Sequence, residues 1–513
     1  MIAALTATAV HMSQAQQTQP LQLPHVDWVT IAPEGIFFVG GLLLLIGGVF
    51  VRRRVPRGLW SVSTVIIALL ALWPTLHLWH QVRHGGARTA IADAIVVDGF
   101  SLFIVVVIIS TVVMAALLAD GYLRREDLEG PEYYVLMLFS ASGGMLMASA
   151  NDLIVVFLGL EILSIALYTL AGYQQRQAGS QEAAIKYFVL GAFSSAFFLY
   201  GIALVYGTTG STNLAIIADF LRVNSLTNGL LLAGLALLIV GLGFKVAAVP
   251  FHMWTPDVYQ GSPTPATAFM AAAAKAAGFA ALLRIFVSTF DLYKLDWQPI
   301  IWWLAVLSLL VGSILAVVQS DAKRMLAYSS IAHAGYVLVG FQTATDRGVA
   351  GALFYLLAYA FMIIGSFAVV TLVSGKGDDD TGLDAFRGLS SRRPVLAFVF
   401  TVLLLAQTGV PLTSGFLAKF YVISAAVEAK SYSLAIIAMI AAVIAAFFYL
   451  RLIVVMYMAA PEAEGEAAAP AGPVPIAVGA GFSLAIALGF TVVVGFLPSP
   501  VFDFARHATL LRL

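Results

Sequence analysis

The feature that most constrains this chain is a succession of long apolar runs, because a run of about 18 or more apolar residues can cross a bilayer as a helix. We count about fourteen such runs along the sequence. The 513-residue chain is 61% hydrophobic and 11% charged, a composition typical of polytopic membrane proteins. The approximate spans are 31–51, 59–80, 95–119, 131–149, 151–173, 181–206, 229–250, 264–288, 299–318, 321–342, 348–373, 395–428, 432–458 and 473–497. The sequence therefore predicts an all-α polytopic membrane protein.

The seventh run combines a charge with a break. It carries Lys245 about 16 residues from its start, and Pro250 follows within about a turn and a half. Open backbone at membrane depth is tolerated only where protein or water covers it. A lysine at that depth costs about 2.5–3.5 kcal/mol on insertion scales, so we favour a functional role over a snorkelling or fixed ion-paired lysine. His252 and Asp257, beside the break, are expected mainly to shape it and the mouth of a channel.

The twelfth run is interrupted in the same way, at Pro411. In both broken runs a glycine precedes a lysine by four residues, as Gly241 precedes Lys245 and Gly415 precedes Lys419. Paired broken helices in two halves of a chain point to a transporter with internal repeats and a site near the bilayer midplane. Five intervening helices, an odd number, would invert the second repeat relative to the first.

Three more ionisable residues lie at a similar depth: Glu161 in the fifth run, Lys275 in the eighth and His333 in the tenth. Together with the two lysines near the breaks they form the side-chain inventory of a proton relay. Lys186, near the start of the sixth run, could pair with Glu161. The alternative to a functional pair is a static structural one.

For three polar residues in the runs, the sequence also allows or favours a structural role. His333 could equally be a core histidine hydrogen-bonded to Ser329 or Ser330. Arg284 lies far along the eighth run and is expected to snorkel to the interface, as is Arg451 near a helix end.

Several classes of function are excluded. The chain has no cysteine, so it holds no disulfide, no cysteine-ligated iron–sulfur cluster and no thiol nucleophile. Its formal charge is zero, which gives no reason to expect a nucleic-acid partner. We find no phosphate-binding glycine loop, dinucleotide fingerprint or zinc-spaced histidine cluster. We therefore expect no metal or cofactor in this chain, and any redox cofactor on other chains.

Two stretches resemble a known family. The first is Lys245-Val-Ala-Ala-Val-Pro-Phe-His-Met-Trp-Thr-Pro-Asp257, followed by Gly261-Ser-Pro-Thr-Pro265 and Lys275. It resembles the antiporter-like membrane subunits of respiratory complex I, the proton-translocating NADH:quinone oxidoreductase. The second, Pro411-Leu-Thr-Ser-Gly-Phe-Leu-Ala-Lys-Phe-Tyr421, is similar to the subunit N branch of that family.

The resemblance implies about fourteen helices with two inverted five-helix repeats, each containing a broken helix. The expected segments are an exposed N-terminal tail at 1–30, a three-helix segment at 31–130, a first repeat at 131–290, a second repeat at 291–458, and an acidic loop, last helix and C-terminal tail at 459–513. The first repeat's Glu161–Lys186 pair has no evident counterpart in the second, where Arg324 and the region of Ala352 occupy the comparable places.

The resemblance also implies a function, namely proton translocation coupled to quinone reduction on other subunits. The family's functional residues match Glu161, Lys186, Lys245, Lys275 and, on the exit side, Lys419. NADH, FMN, iron–sulfur clusters and quinone would reside on partner subunits. The neighbours would be subunit M, small K- and J-type subunits and the lipid bilayer.

The location implied is the cell (inner or plasma) membrane. Basic residues are more frequent in one set of alternate connections, which includes Arg52–Arg54 and Arg392–Arg393, and this bias predicts both termini on the outer face. A subunit of a multisubunit cation/proton antiporter or of a membrane hydrogenase is the alternative, and a structural role without proton transport is a further one.

Overall fold

A computed structural model describes residues 26–50, 56, 58–224, 229–458 and 476–508. The helices are α1 (Ala32–Phe50), α2 (Leu59–Gly85), α3 (Gly99–Arg125), α4 (Glu132–Ser149), α5 (Leu153–Ala171), α6 (Ala178–Thr209), α7 (Leu214–Val223), α8 (Gly229–Lys245), α9 (Trp254–Gly261), α10 (Thr264–Thr289), α11 (Lys294–Val317), α12 (Ala322–Gln342), α13 (Asp346–Val373), α14 (Pro394–Thr408), α15 (Ser414–Glu428), α16 (Tyr432–Met458), α17 (Val478–Phe496) and α18 (Ser499–His507). One-turn helical segments span Asp291–Tyr293, Lys376–Asp378, Leu383–Phe386 and Leu389–Arg392. An antiparallel hairpin pairs β1 (Arg88–Ala90) with β2 (Ile95–Val97). Most of the predicted N-terminal tail and the whole acidic loop lie outside the described residues.

Every predicted apolar span contains a helix, and ten of the described helices are long and apolar enough to cross a membrane. The broken helices α8 and α14 are shorter apolar helices, while α4, α12 and α15 are not among the ten. Two predicted spans are longer than the helices that they contain. Span 229–250 ends as a helix at Lys245, and span 395–428 divides into α14 and α15. The third span begins at Gly99 rather than 95, because Ile95–Val97 pairs as a strand.

Three helices form the inside of the bundle. In α3, α10 and α13, 78%, 94% and 89% of the most apolar stretch is buried, against 28% in α1 and 33% in α6 and α17. Because α10 carries Lys275, this lysine is held inside the protein rather than against lipid.

The start of α5 and the start of α12 are built in the same way. Asp152 and Asp321 are the N-cap residues, and each also accepts a hydrogen bond from a threonine, Thr212 and Thr381 respectively. The backbone repeats the pattern, since Leu153 N donates to the carbonyl of Thr212 (2.9 Å) and Ala322 N to that of Thr381 (2.7 Å). The two halves of the chain therefore share local structure as well as helix order.

A matched pair of glycines supports the same correspondence. A Cβ on Gly143 in α4 would lie 2.6 Å from the amide nitrogen of Leu163 in α5, and a Cβ on Gly312 in α11 would lie 2.5 Å from that of Ala332 in α12. No real Cβ fits at such distances, so both helix pairs require glycine at this crossing. The separation in sequence between these equivalent residues is the same as between the two N-cap aspartates.

Arg284 does not snorkel to the interface as predicted. Its guanidinium is buried and forms two hydrogen bonds to the carboxylate of Asp98, at 2.9 and 3.0 Å, and Nε donates to the carbonyl of Ala148 at 3.0 Å. Asp98 also caps α3 through the amide of Ser101. The bidentate pair therefore ties α10 to the start of α3 and the end of α4, a long-range contact that the distance of Arg284 along its own helix could not reveal.

We expect Asp98→Asn to destabilise the protein by about 3–5 kcal/mol, because it leaves the Arg284 guanidinium buried without a counter-charge. The midpoint of thermal unfolding of the detergent-solubilised protein measures this effect. Asp127→Asn is the matched control, since Asp127 is 81% exposed and pairs with an exposed Lys376. This control should change stability by no more than about 1 kcal/mol. Equal midpoints for the two variants would contradict a stabilising role for the buried pair.

Candidate functional site

The broken helix α8 opens directly after Lys245. The Val249–Pro250 peptide bond is cis, Pro250 itself is exposed, and His252 lies half-buried in the turn that leads to α9. Trp254 Nε1 donates to the carbonyl of Phe244 at 2.9 Å, and the amide of Val249 donates to Ser308 Oγ at 2.9 Å. Protein groups thus satisfy part of the backbone that the break exposes, as open backbone in a membrane requires.

Lys245 is buried beside polar groups of α5 and α6. Its ammonium group donates to Ser164 Oγ at 2.8 Å and to the hydroxyl of Tyr187 at 3.3 Å. It also lies 5.4 Å from the ring centroid of Tyr187 and 6.0 Å from that of Tyr168. Ser164 follows Glu161 by three residues on α5, which places Glu161 on the adjoining turn of the same helix face. Lys245 therefore lies within a side chain's reach of the predicted carboxylate.

The predicted pairing of Lys186 with Glu161 is wrong in this structure. The Lys186 ammonium group instead donates to Asp257 Oδ2 at 2.7 Å and lies 2.6 Å from Glu182 Oε1. Glu161 accepts a hydrogen bond from Ser195 Oγ. Asp257, on α9 after the break, and Glu182, one turn earlier on α6, are the two carboxylates that hold Lys186 in this structure.

Lys275 lies on the most buried helix, α10, directly after a π-helical segment at Met270–Ala274. π-bulges of this kind often occur at functional sites. Its ammonium group donates to the carbonyl and the hydroxyl of Ser330 on α12, both at 2.5 Å. One turn further along α10, a Cβ on Gly278 would lie 3.4 Å from Lys245 Cγ, so the Lys245 side chain packs against the same helix. α10 thus carries Lys275 and also packs against the side chain of Lys245.

His333 is hydrogen-bonded, but not to Ser329 or Ser330 as one prediction had it. Its Nδ1 lies 2.6 Å from the hydroxyl of Tyr355, and its Nε2 lies 3.2 Å from that of Tyr449. Ser329 instead bonds to Tyr449. Tyr449 also donates to Gln407 Oε1 at 3.4 Å, and Gln407 Nε2 donates to Ser366 Oγ at 2.7 Å. These contacts form a connected polar network across α12, α13, α14 and α16.

Lys419 lies at the second break. Its ammonium group donates to the carbonyl of Thr408, the last residue of α14, at 2.9 Å, and lies 4.7 Å from the ring centroid of Tyr336. Gly409 has a φ of 97° and a Cβ there would lie 3.1 Å from Lys419 Cδ, so this position favours glycine on both counts. Pro411 is exposed in the turn between α14 and α15.

Lys245, Lys275 and Lys419 share an unusual environment. They are 4%, 3% and 6% exposed, and within the described residues none forms an ion pair with a carboxylate. The groups that accept their hydrogen bonds are hydroxyls and carbonyls. A buried charge without a counter-charge is costly, so such a group indicates function rather than stability.

The matched caps and glycines also show which residues correspond in the two halves. With that constant separation, Ser330 is equivalent to Glu161 and Tyr355 is equivalent to Lys186, whereas Arg324 and Ala352 were predicted at the comparable places. The second half therefore has neutral hydroxyls where the first half has a carboxylate and an amine. The charged pair of the first half therefore has no charged counterpart in the second half.

A cavity of about 580 Å³ opens beside Lys186. Asp257, Arg324, Lys323 and Asp378 are among its lining residues. Asp257 Oδ1 accepts a hydrogen bond from Arg324 Nη1 at 2.7 Å. The cavity lies at the end of the bundle where α6 and α12 begin. It gives solvent access to the half-buried amine of Lys186.

Asp378 holds the wall of this cavity together. It accepts hydrogen bonds from the amide and hydroxyl of Thr264 (3.0 and 2.7 Å) and from Ser374 Oγ (2.9 Å), and it lies 3.3 Å from Lys323 Nζ and 3.4 Å from Arg125 Nη2. Burial alone would raise the pKa of Asp378, but Lys323, the two hydroxyl donors and Arg125 outweigh burial and lower the pKa below its usual value.

Sequence reasoning missed the neutral and long-range members of the site. Tyr449 and Gln407 carry no charge, and nothing in their apolar surroundings in the sequence distinguishes them from packing residues. The sequence does offer one signal for such residues. A hydroxyl or amide inside a membrane span must find a hydrogen-bond partner in the protein. Ser164 and Ser330 each lie three residues from a predicted site residue, Glu161 and His333 respectively, but only the fold shows which lysine each serine contacts.

This chain is similar to known proteins over most of its length. A family model described as "NADH:quinone oxidoreductase/Mrp antiporter, TM" matches residues 150–445. NADH-quinone oxidoreductase subunit N of Trichlorobacter lovleyi is 43% identical over 482 residues, which cover 94% of this chain and 96% of that protein. The chain belongs to the subunit N family of NADH-quinone oxidoreductase.

Solved structures of two membrane complexes contain chains with this fold. A chain of respiratory complex I from Thermus thermophilus with bound aureothin is 35% identical, with a TM-score of 0.75 and coverage of 93% of this chain and 99% of that one. A chain of the Mrp complex from Dietzia sp. DQ12-45-1b has a TM-score of 0.79 at 19% identity, with 94% and 96% coverage, and so shares the fold. The predictions of family and of an all-α, antiporter-like membrane fold are confirmed.

We expect Asp378→Asn to destabilise this subunit N family member by about 3–5 kcal/mol at neutral pH, because Lys323 is left buried beside a neutral amide. The pKa of Asp378 is lowered by folding, so its stabilisation is complete above the unfolded value of about 3.8 and is lost as the pH falls through the lower folded value. Thermal unfolding of the wild-type and variant protein at a series of pH values measures this difference.

Asp384→Asn is the control for this series, since Asp384 is 82% exposed. The gap between wild type and Asp378→Asn should be constant from pH 8 to about pH 5 and narrow below about pH 4. A gap that widens with acidity would contradict the assigned ion pairs.

Proposed function

We propose that this chain is the membrane subunit of an NADH:quinone oxidoreductase through which protons cross the membrane, and that its buried lysines carry them. The single observation that supports this most is the set of three lysines inside the bundle that contact only neutral hydroxyl and carbonyl groups. A fixed structural lysine would have a carboxylate partner. In an amine without one the charged form is costly to keep buried, and this cost favours release of the proton to a neighbouring acceptor.

The proposed route connects these lysines through the polar side chains around them. Protons enter at the cavity beside Lys186 and pass by Glu161 to Lys245 and then to Lys275. From Lys275 the route continues through the hydroxyls of Ser330, Ser329 and Tyr449 to His333, and then to Lys419. Hydroxyl groups and neutral histidine both donate and accept hydrogen bonds, so each can pass a proton on. Pro250, His252 and Pro411 shape the two breaks beside this route.

The setting of the chain follows from the same proposal. The segments 131–290 and 291–458 form two inverted repeats, and both termini lie on the outer face of the cell membrane. Subunit M and small K- and J-type subunits are the proposed neighbours. NADH, FMN, iron–sulfur clusters and quinone bind to partner subunits, where the redox chemistry takes place.

A cation/proton antiporter is the second candidate, because the fold also matches a chain of an Mrp complex. At 19% identity this likeness concerns the fold alone, whereas the similarity to subunit N extends over nearly the whole chain at 43% identity. Sodium-driven proton movement without NADH in vesicles containing the chain would favour the antiporter.

We expect Lys245→Ala to lower NADH-driven proton pumping about tenfold or more, as is usual when a proton-carrying group is lost. Pumping is measured by fluorescence quenching in inside-out membrane vesicles and compared with NADH oxidation by an artificial acceptor, which should be unaffected. Lys376→Ala, at an exposed lysine, is the control. A normal ratio of protons to electrons in Lys245→Ala would remove this lysine from the route.

Tyr449→Phe tests the hydroxyl relay in the second half of the chain. The variant retains the ring but loses the hydroxyl that contacts Ser329, His333 and Gln407. We expect pumping to fall about three- to tenfold, in line with about 1 kcal/mol for a lost hydrogen bond. Tyr432→Phe, at an exposed tyrosine, provides the comparison. Pumping in Tyr449→Phe equal to this control would place the route elsewhere.

A further inference from the structure

Tyrosine rings lie beside all three lysines that have no carboxylate partner. The Lys275 ammonium nitrogen is 5.3 Å from the ring centroid of Tyr359. Lys419 has a corresponding contact at the second break, and Lys245 has two at the first. The face of an aromatic ring is negatively polarised and attracts a cation within about 6 Å of its centroid. Each of these amines therefore has a partner for its charged form, although within the described residues none has a counter-ion.

The lysines that do pair with carboxylates have no such ring. Lys186, Lys323 and Lys376 lie 2.6–3.3 Å from an aspartate or glutamate oxygen. In the part of the chain that the structure describes, none of the three lies over an aromatic ring. Among these six lysines a ring and a carboxylate thus never occur together, which indicates that the ring takes the place of the carboxylate.

The two kinds of partner hold an ammonium group with different strength. A ring contact that is shielded from water favours the cation by about ten- to thirtyfold, whereas loss of a buried carboxylate partner costs a factor of about 150 or more. The face of a ring also has no lone pair that could accept the proton. A ring therefore stabilises the charged amine without trapping it and without taking the proton itself.

The fold fixes the rings at both breaks. Tyr187 stacks on Trp254, which lies on α9 beyond the first break, with the ring centroids 4.5 Å apart. The hydroxyl of Tyr336 donates to the carbonyl of Ala438 at 2.9 Å. Because this hydroxyl is occupied, the ring of Tyr336 makes the contact with Lys419.

Equivalent helices supply a ring in the two halves. The helices α5 and α12 share the aspartate cap and the close glycine crossing. Tyr168 on α5 has its ring centroid 6.0 Å from Lys245, and Tyr336 on α12 has its ring centroid 4.7 Å from Lys419. A ring beside the lysine at each break is therefore a feature common to both halves.

We propose that these tyrosines are positioning residues, whose rings hold the ammonium form of the buried lysines in place of carboxylates. The rings make it possible for a buried amine to take up a proton, and they leave it free to release that proton to a hydroxyl. The proposal rests on the proposed function and adds the groups that stabilise the charged state of its lysines. The assignments are Tyr187 and Tyr168 to Lys245, Tyr359 to Lys275, and Tyr336 to Lys419.

A fluorination series at position 359 tests the ring directly. The hydroxyl of Tyr359 forms no hydrogen bond of normal geometry within the described residues, so Tyr359→Phe is a suitable starting point. Phenylalanines with one, two or three ring fluorines, introduced by nonsense suppression, weaken the negative face of the ring with little change in its volume. Pumping by the intact complex in membrane vesicles should stay within about twofold of wild type in Tyr359→Phe and fall stepwise to about a tenth with three fluorines. Equal rates across the series overturn the proposal.

Tyr133 provides the matched control. It is fully buried on α4, its hydroxyl also lacks a hydrogen bond, and in the described part of the chain it packs against tyrosine rings with no cation over its own ring. The same fluorinated residues at position 133 should leave pumping unchanged. An equal decline at positions 133 and 359 would show a general effect of fluorine on packing and would also overturn the proposal.

Removal of the ring gives a second test. Tyr359→Leu should pump about tenfold more slowly than Tyr359→Phe, because only phenylalanine keeps the cation contact. Equal rates in these two variants contradict the proposal. If Tyr359→Leu fails to assemble, the fluorination series decides, since it leaves the shape of the side chain nearly unchanged.

The same series at position 336 tests the ring beside Lys419 independently, and the same stepwise decline is expected there. Flat series at 359 and 336 together with a defective Lys245→Ala variant would reject this inference and leave the proposed proton route intact. Normal pumping in Lys245→Ala would reject the route itself.

Discussion

The central constraint on this structure is the free-energy cost of burying an amine inside a membrane protein without a carboxylate beside it. Lys245, Lys275 and Lys419 each meet this condition, and a hydroxyl or a carbonyl is the strongest acceptor that each one contacts. The fold reduces the cost in two ways. It surrounds the amines with inner helices rather than lipid, and at the second break it makes the carbonyl of Thr408 available to Lys419.

The two halves of the chain meet this requirement with different side chains. The start of each half is built from the same cap, the same threonine bond and the same close helix crossing. Where the first half has Glu161 and Lys186, however, the second has Ser330 and Tyr355, and a histidine and several tyrosines occupy the space around them. Charge is therefore concentrated at the entrance side of the proposed route, and neutral hydroxyls connect the remainder.

Much of the fold could be predicted from the sequence, because helices in a membrane are specified by local apolar runs and local prolines. The fourteen runs and both breaks were found in this way. The errors concern residues whose partners lie far away in sequence. Arg284 finds Asp98, Lys186 finds Asp257 and His333 finds Tyr449, and no period or spacing within one helix contains that information. The hairpin at β1 and β2 was missed because its second strand continues an apolar run.

The most direct test of this account is a high-resolution cryo-EM map of the intact complex that resolves ordered water inside this chain. We expect water molecules and protein hydroxyls to form a connected chain from Lys245 through Lys275 and His333 to Lys419, with each neighbouring pair of polar atoms within about 3.2 Å. Dry apolar side chains separating these amines in every state of the complex would contradict the account, because no proton could then pass between them.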